Sequence, residues 1–187
     1  IEQGKDAMII EKATEKDIDA LEKMYYEVTA QLEKTVNYPA WINGLYPTRE
    51  TFEEAVSKGA MYVARTEDGE DGKIAAGMVL KSEEEPGFCD IEWQIEAEAS
   101  ELYVLCTLAV ALDFNGCGLG EEMVRFAIKL AKENGKKAVR LDVTEINAPA
   151  ISLYEKLGFK YIDIMDTGEE YMLEYGQRIF RLYEKLI

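Results

Sequence analysis

The 187 residues suffice for one domain, 1–187, that buries most of the surface its unfolded chain would expose. A formal charge of −16, from 37 Asp and Glu against 21 Lys and Arg, argues against affinity for nucleic acid and favours a cationic small substrate, although it also serves solubility alone. A charged N-terminal stretch and the lack of any apolar run near eighteen residues lead us to expect a cytoplasmic protein without a membrane partner.

Cys89, Cys106 and Cys117 form an odd, irregularly spaced set, and the chain has no histidine. Reduced thiols and no metal site are therefore expected.

A short strand over Met8–Glu11 precedes Thr14 and Asp17, spaced as a capping box. Ile18, Leu21, Tyr25, Val28 and Leu32 then recur at helical spacing, which predicts a helix ending before Asn37. Pro39, Gly44 and Pro47 among Tyr38, Trp41 and Tyr46 mark residues 37–47 as a loop whose aromatics pack inward or line a pocket. Thr48 caps a second predicted helix, through Lys58.

Strands are predicted over Ala60–Thr66 and Ile74–Ser82, joined by Asp-Gly turns at Asp68-Gly69 and Asp71-Gly72. Two more follow, over Cys89–Ile95 and Leu102–Ala111, completing an antiparallel meander. Beyond it the pattern becomes strand, glycine loop, helix Glu121–Asn134, strand Ala138–Thr144, a βαβ crossover that makes its strands parallel. A further helix runs from Pro149 to Gly158, then strand Phe159–Ile164; the tail Arg178–Leu186 reads as a strand but fits a helix as well.

The loop Asn115-Gly116-Cys117-Gly118-Leu119-Gly120 gathers backbone N–H groups beside a helix N-terminus, an arrangement that suits an anion. Its G-x-G-x-G spacing is neither a dinucleotide-binding turn nor a P-loop, and on its own it fits a ligand-free tight connection equally well. Further on stands Asn147-x-x-Ala150-x-x-x-Tyr154-x-x-x-Gly158-Phe159.

Taken with Leu108-Ala-Val110 and Asn115-x-x-Gly118-x-Gly120, this second signature resembles the GNAT superfamily of N-acetyltransferases. The resemblance covers about Leu102 to Ile164 and implies an α/β fold: a mostly antiparallel central sheet, a parallel βαβ crossover at the CoA site, and helices on both faces. Trp41, Tyr46-Pro47 and Ile91-Glu92-Trp93 also look like a group of bacterial members whose acceptors are mostly unassigned.

The resemblance implies an acyl-CoA-dependent N-acyltransferase with acetyl-CoA as co-substrate and a small-molecule or peptide amine as acceptor. The amides of Cys117–Gly120, with Asn115 and Gly116 in the same loop, would hold the diphosphate. Leu108, Val110 and Asn147 would bind the pantetheine arm, and Tyr154 would protonate the leaving thiolate. Without the resemblance, Tyr154 reads as a core residue on the Ile151–Leu157 stripe, and Asn147 as a helix cap.

Two departures stand out. The basic or Gln residue that opens such loops is Asn115 here, with Glu121 and Glu122 just after and Arg125 one turn on. The glutamate that some members carry on the strand bearing Leu108 is replaced by Val104-Leu105-Cys106, so Glu92 beside Trp93 is the expected base, with a water relay as the other route. Cys106 has no histidine to activate it as a nucleophile. A non-catalytic acyl-CoA-binding regulatory domain of the same fold is the alternative. A homodimer is compatible with the sequence.

Overall fold

A computed structural model describes residues 8–66, 72–83, 85–168 and 178–187. Strand β1 (Met8–Lys12) leads through the Thr14 turn into helix α1 (Ile18–Glu33), and the Thr14 amide donates to Asp17 Oδ2 at 2.8 Å, the capping contact that the spacing predicts. Asp17 also accepts Arg65 at 2.9 Å, so the helix entrance is tied to strand β2 (Met61–Thr66). Thr48 opens helix α2 (Arg49–Ser57).

β2 pairs antiparallel with β3 (Ile74–Lys81). Of the turn residues expected between them, Asp68, Gly69 and Asp71 lie outside the described residues.

The strand expected over Cys89–Ile95 does not form: Phe88–Asp90 is one turn of 3-10 helix and residues 91–95 are irregular. A buried polar pair explains the difference. Arg140 and Glu184 meet at 2.8 Å with the Glu184 side chain fully buried, and both engage the segment above them. Arg140 donates to the Ile95 carbonyl at 2.8 Å, and the Gln94 amide donates to Glu184 Oε2 at 2.9 Å. Trp93 lies over the Arg140 guanidinium at 4.3 Å, and Phe88 packs with Val104 and Leu182. Backbone groups that a strand would offer to a ladder are thus taken by one ion pair.

Strand β4 (Leu102–Val110), helix α3 (Leu119–Glu133) and strand β5 (Ala138–Thr144) make the predicted crossover. Helix α4 (Ala148–Lys156) and strands β6 (Lys160–Asp166) and β7 (Ile179–Leu186) follow. The tail is therefore a strand, and β7 enters between β5 and β6, giving the order β1-β2-β3-β4-β5-β7-β6. Apart from β4 with β5, the neighbouring pairs are antiparallel.

Alternation along the strands divides the core in two. Met61, Val63 and Val79 pack under α1 and α2, whereas Tyr62, Ala64, Met78 and Leu141 pack under α3 and α4. Helices on both faces of a mostly antiparallel sheet with one parallel pair meet the expected fold class.

The parallel contact is short. Leu102–Val104 pair with Ala138–Arg140; beyond them β4 stays with β3, and β5 stays with β7. The two strands part like the arms of a V, and the gap lies between Leu105–Val110 and Leu141–Thr144.

Candidate active site at the strand fork

The loop that ends β4 is shaped by its glycines. Gly116 and Gly118 have φ of +80° and +82°, a region where side chains bring strain, and a Cβ added at either would meet nothing within 4 Å. Backbone direction, then, is what requires glycine there. Helix α3 starts at Leu119, two residues before the expected Glu121, with Gly118 as its N-cap. Its first-turn amides and those of the loop, Gly116 to Gly120, find no backbone acceptor among the described residues. The sequence leaves this loop without a cation, but the fold supplies two nearby: Glu121 accepts Arg125 at 2.7 Å and Lys156 at 2.6 Å.

A cleft of about 620 Å³ occupies the fork. Leu105 to Leu108 line one wall and Asp142 to Thr144 the other; Asn147, Leu153 and Tyr154 close it from α4. Leu108 and Val110 lie on the stretch of β4 that lacks a ladder partner on the β5 side. Val110 and the glycine loop lie beyond the cleft lining; a Cβ at Gly120 would stand 3.7 Å from Val110 Cγ2 and 4.0 Å from Cδ2 of Leu153, which lines the cleft. Asn147 takes both anticipated positions: its side chain accepts the Ala150 amide at 3.2 Å as a helix cap, and the residue lines the cleft.

Tyr154 is 6% exposed and stands edge-on to Phe159 at 5.7 Å, so the ring belongs to the core while the residue borders the cleft. Burial, then the negative potential of Asp142, hold its phenol well above the ordinary range, so it stays protonated at neutral pH. Cys106 shows what the same environment does to a thiol. Desolvation, with Glu85 adding to it, pushes the Cys106 thiol up to about 12. A thiol raised in this way stays protonated at neutral pH, which disfavours Cys106 as a nucleophile.

Glu92 is not brought to this place. It is exposed on the irregular segment that replaced the expected strand and does not line the cleft. Three carboxylates line the cleft, Glu85, Asp142 and Asp166, and the one on an arm of the fork is Asp142, which desolvation and the neighbouring Glu85 raise from 3.8 to about 6. Its signal in the sequence is its phase on β5: Asp142 alternates with the buried Leu141 and Val143 and so faces away from α3.

The 37–47 loop covers the cleft as an aromatic wall. Trp41 is buried against Tyr25, with ring centroids 5.6 Å apart, and Tyr46 lines the cleft. A second hollow of about 340 Å³ shares Tyr46, Glu85, Cys106 and Thr107 with the first, and four glutamates (50, 54, 83 and 85) face two lysines (58 and 81) in its walls. All three cysteines are free thiols.

A model of the acetyltransferase (GNAT) family matches residues 19–159. The chain belongs to the acetyltransferase (GNAT) family. Within this enzyme family it is 34% identical over 77 residues to an uncharacterised N-acetyltransferase of Methanocaldococcus jannaschii, covering 41% of this chain and 34% of that one. It is 40% identical over 70 residues to a mycothiol acetyltransferase of Corynebacterium jeikeium, covering 36% and 19%. It is also 32% identical over 92 residues to a putative ribosomal protein bS18-alanine N-acetyltransferase of Bacillus subtilis, covering 46% and 58%. The chain thus spans between 19% and 58% of the length of these relatives, less than two thirds of each. Among solved structures, GNAT acetyltransferases of Streptococcus agalactiae and Listeria monocytogenes superpose with TM-scores of 0.75 and 0.73 at 21% identity, each over 96% of this chain and 95% of theirs. That likeness concerns the fold. No helix among the described residues is long and apolar enough to cross a membrane.

Proposed function

We propose that this chain transfers an acetyl group from acetyl-CoA to a primary amine by direct attack within the fork. The observation that carries the reading is the meeting, in one cleft between diverging strands, of a raised carboxyl at Asp142 and a protonated phenol at Tyr154, beside a loop of open amides.

The amides of Cys117–Gly120, with Asn115 and Gly116 in the same loop, receive the CoA diphosphate. Each amide bond to a charged oxygen contributes about 1.5–3 kcal/mol, more than the roughly 1 kcal/mol by which a carboxylate about 4 Å away repels a unit charge in water. Glu121, paired with two cations, opposes binding even less. The free side of β4 at Leu108 and Val110 pairs with the pantetheine arm as an added strand would, and Asn147 hydrogen-bonds to it.

Asp142 takes a proton from the amine, directly or through water; the amine nitrogen attacks the thioester carbonyl, and Tyr154 protonates the departing sulfur. The alternative of a non-catalytic binding domain stands on two features, the lack of a carboxylate on β4 and a glycine loop without a cation; against the first, Asp142 offers a carboxylate from the opposite arm. The acidic second hollow supports a cationic acceptor. The relatives' names span small molecules and a ribosomal protein, so they do not choose between a small-molecule and a peptide amine.

Thiol release from acetyl-CoA across a panel of amines, run beside thermal stabilisation by acetyl-CoA alone, tests the reading. Release that depends on a cationic amine is the expected result; stabilisation without release for any acceptor would favour the binding domain.

A further inference from the structure

We infer that Tyr25 is a positioning residue for acyl transfer: its hydroxyl, with that of Tyr46, holds Thr107 in a left-handed conformation that sets the peptide between Thr107 and Leu108 in the cleft wall. The inference rests on the site proposed above.

Thr107 has φ +55°, a region that β-branched residues avoid because the crowded Cβ meets the neighbouring backbone. It sits at an irregularity in the β3–β4 ladder. Gly77 pairs with Ala109 and Val79 with Cys106, so Thr107 and Leu108 together oppose the single residue Met78. A strained residue persists where its surroundings over-determine it, and here they do. The Tyr25 hydroxyl, from α1, donates to the Thr107 carbonyl at 2.5 Å, and the Tyr46 hydroxyl is 2.7 Å from Thr107 Oγ1.

β3 carries glycine where the phenol passes. A Cβ at Gly77 would stand 2.9 Å from Tyr25 Oη and 2.9 Å from Met61 Cε, so any side chain there would push the hydroxyl off Thr107. In a trans peptide the N–H points opposite to the C=O, so fixing the Thr107 carbonyl on Tyr25 also fixes the Leu108 amide. Thr107 and Leu108 both line the cleft, and Tyr25 does not. Tyr25 therefore acts through the bulge rather than on substrate.

The test uses Tyr25→Phe, Thr107→Gly and the double variant. Glycine adopts positive φ without strain, so it should remove the need for the clamp. We expect Tyr25→Phe to lower kcat by about tenfold or more while acetyl-CoA stabilisation stays close to that of the parent, and the double variant to turn over within about threefold of Thr107→Gly alone. If Tyr25→Phe fails to fold, Tyr46→Phe reports instead, with a kcat loss of several fold at nearly unchanged melting temperature. Unchanged kcat in Tyr25→Phe, or losses that simply multiply in the double variant, would overturn the inference. A parent inactive with every amine would instead sink the proposed function, leaving the two failures distinguishable.

Discussion

Asp142 and Tyr154 carry opposite demands in one cleft, and pH separates them. If Asp142 is the base, kcat/KM rises with pH through about 6 as the carboxyl ionises, and Asp142→Asn removes that limb together with most of the activity. The same group has a cost in stability. Its carboxyl binds a proton more tightly folded than unfolded, so the fold loses stability as pH climbs from 3.8 to about 6, and the loss is complete above that. The rise corresponds to no more than about 3 kcal/mol. Asp142→Asn should therefore melt several degrees higher than the parent at pH 7, with the gap closing near pH 4; a variant that melts lower at both would deny that the partly buried Asp142 is desolvated at a cost. Tyr154→Phe should leave acetyl-CoA affinity nearly unchanged and cut turnover by about tenfold to a thousandfold, as read by steady-state kinetics. Tyr154 and Asn147 were legible because each sits at a fixed place in a signature that spans one helix entrance. The place of Asp142 in the cleft is not legible in this way, since which carboxylate lines the cleft depends on how distant strands pair.

At the scale of elements, the glycine loop and the buried ion pair make separate predictions. Gly118→Glu has open space for its Cβ, so its folding cost is that of a left-handed residue with a side chain, about 1–2 kcal/mol. The folded variant should lose the rise in melting temperature that acetyl-CoA gives the parent, because a carboxylate then stands against the diphosphate. Arg140→Ala leaves Glu184 buried without its partner and should cost about 3–5 kcal/mol in urea denaturation, whereas replacing both by apolar residues of similar volume should cost much less. Periodicity made α1, α3, α4 and β5 readable, since each has an apolar face set by local spacing. The irregular 88–95 segment was not readable: Arg140 and Glu184 lie 44 residues apart, and only the pairing of β5 with β7 brings them under Gln94 and Ile95. The fork escaped for the same reason, because β4 and β5 are each well-formed strands and their divergence belongs to neither sequence.

For the molecule as a whole, the acidity and the cleft act together. A charge of −16 raises the local concentration of cations, and the second hollow, where four glutamates stand against two lysines that pair with three of them, keeps a net negative charge. CoA is itself an anion, and on the proposed reading it binds against this field through short amide contacts. Raising ionic strength should thus raise the KM of a cationic amine while leaving or lowering that of acetyl-CoA, as long-range repulsion is screened. Salt-independent constants for both would assign the acidity to solubility alone. The most direct test of acetyl transfer at the fork is mass spectrometry of a reaction of acetyl-labelled acetyl-CoA with cationic amines. The account predicts one acetylated amine for each CoA thiol released and no acetyl group left on the protein. Labelled acetyl on Cys106, or no acetylated amine from any acceptor while acetyl-CoA still stabilises the fold, would contradict it.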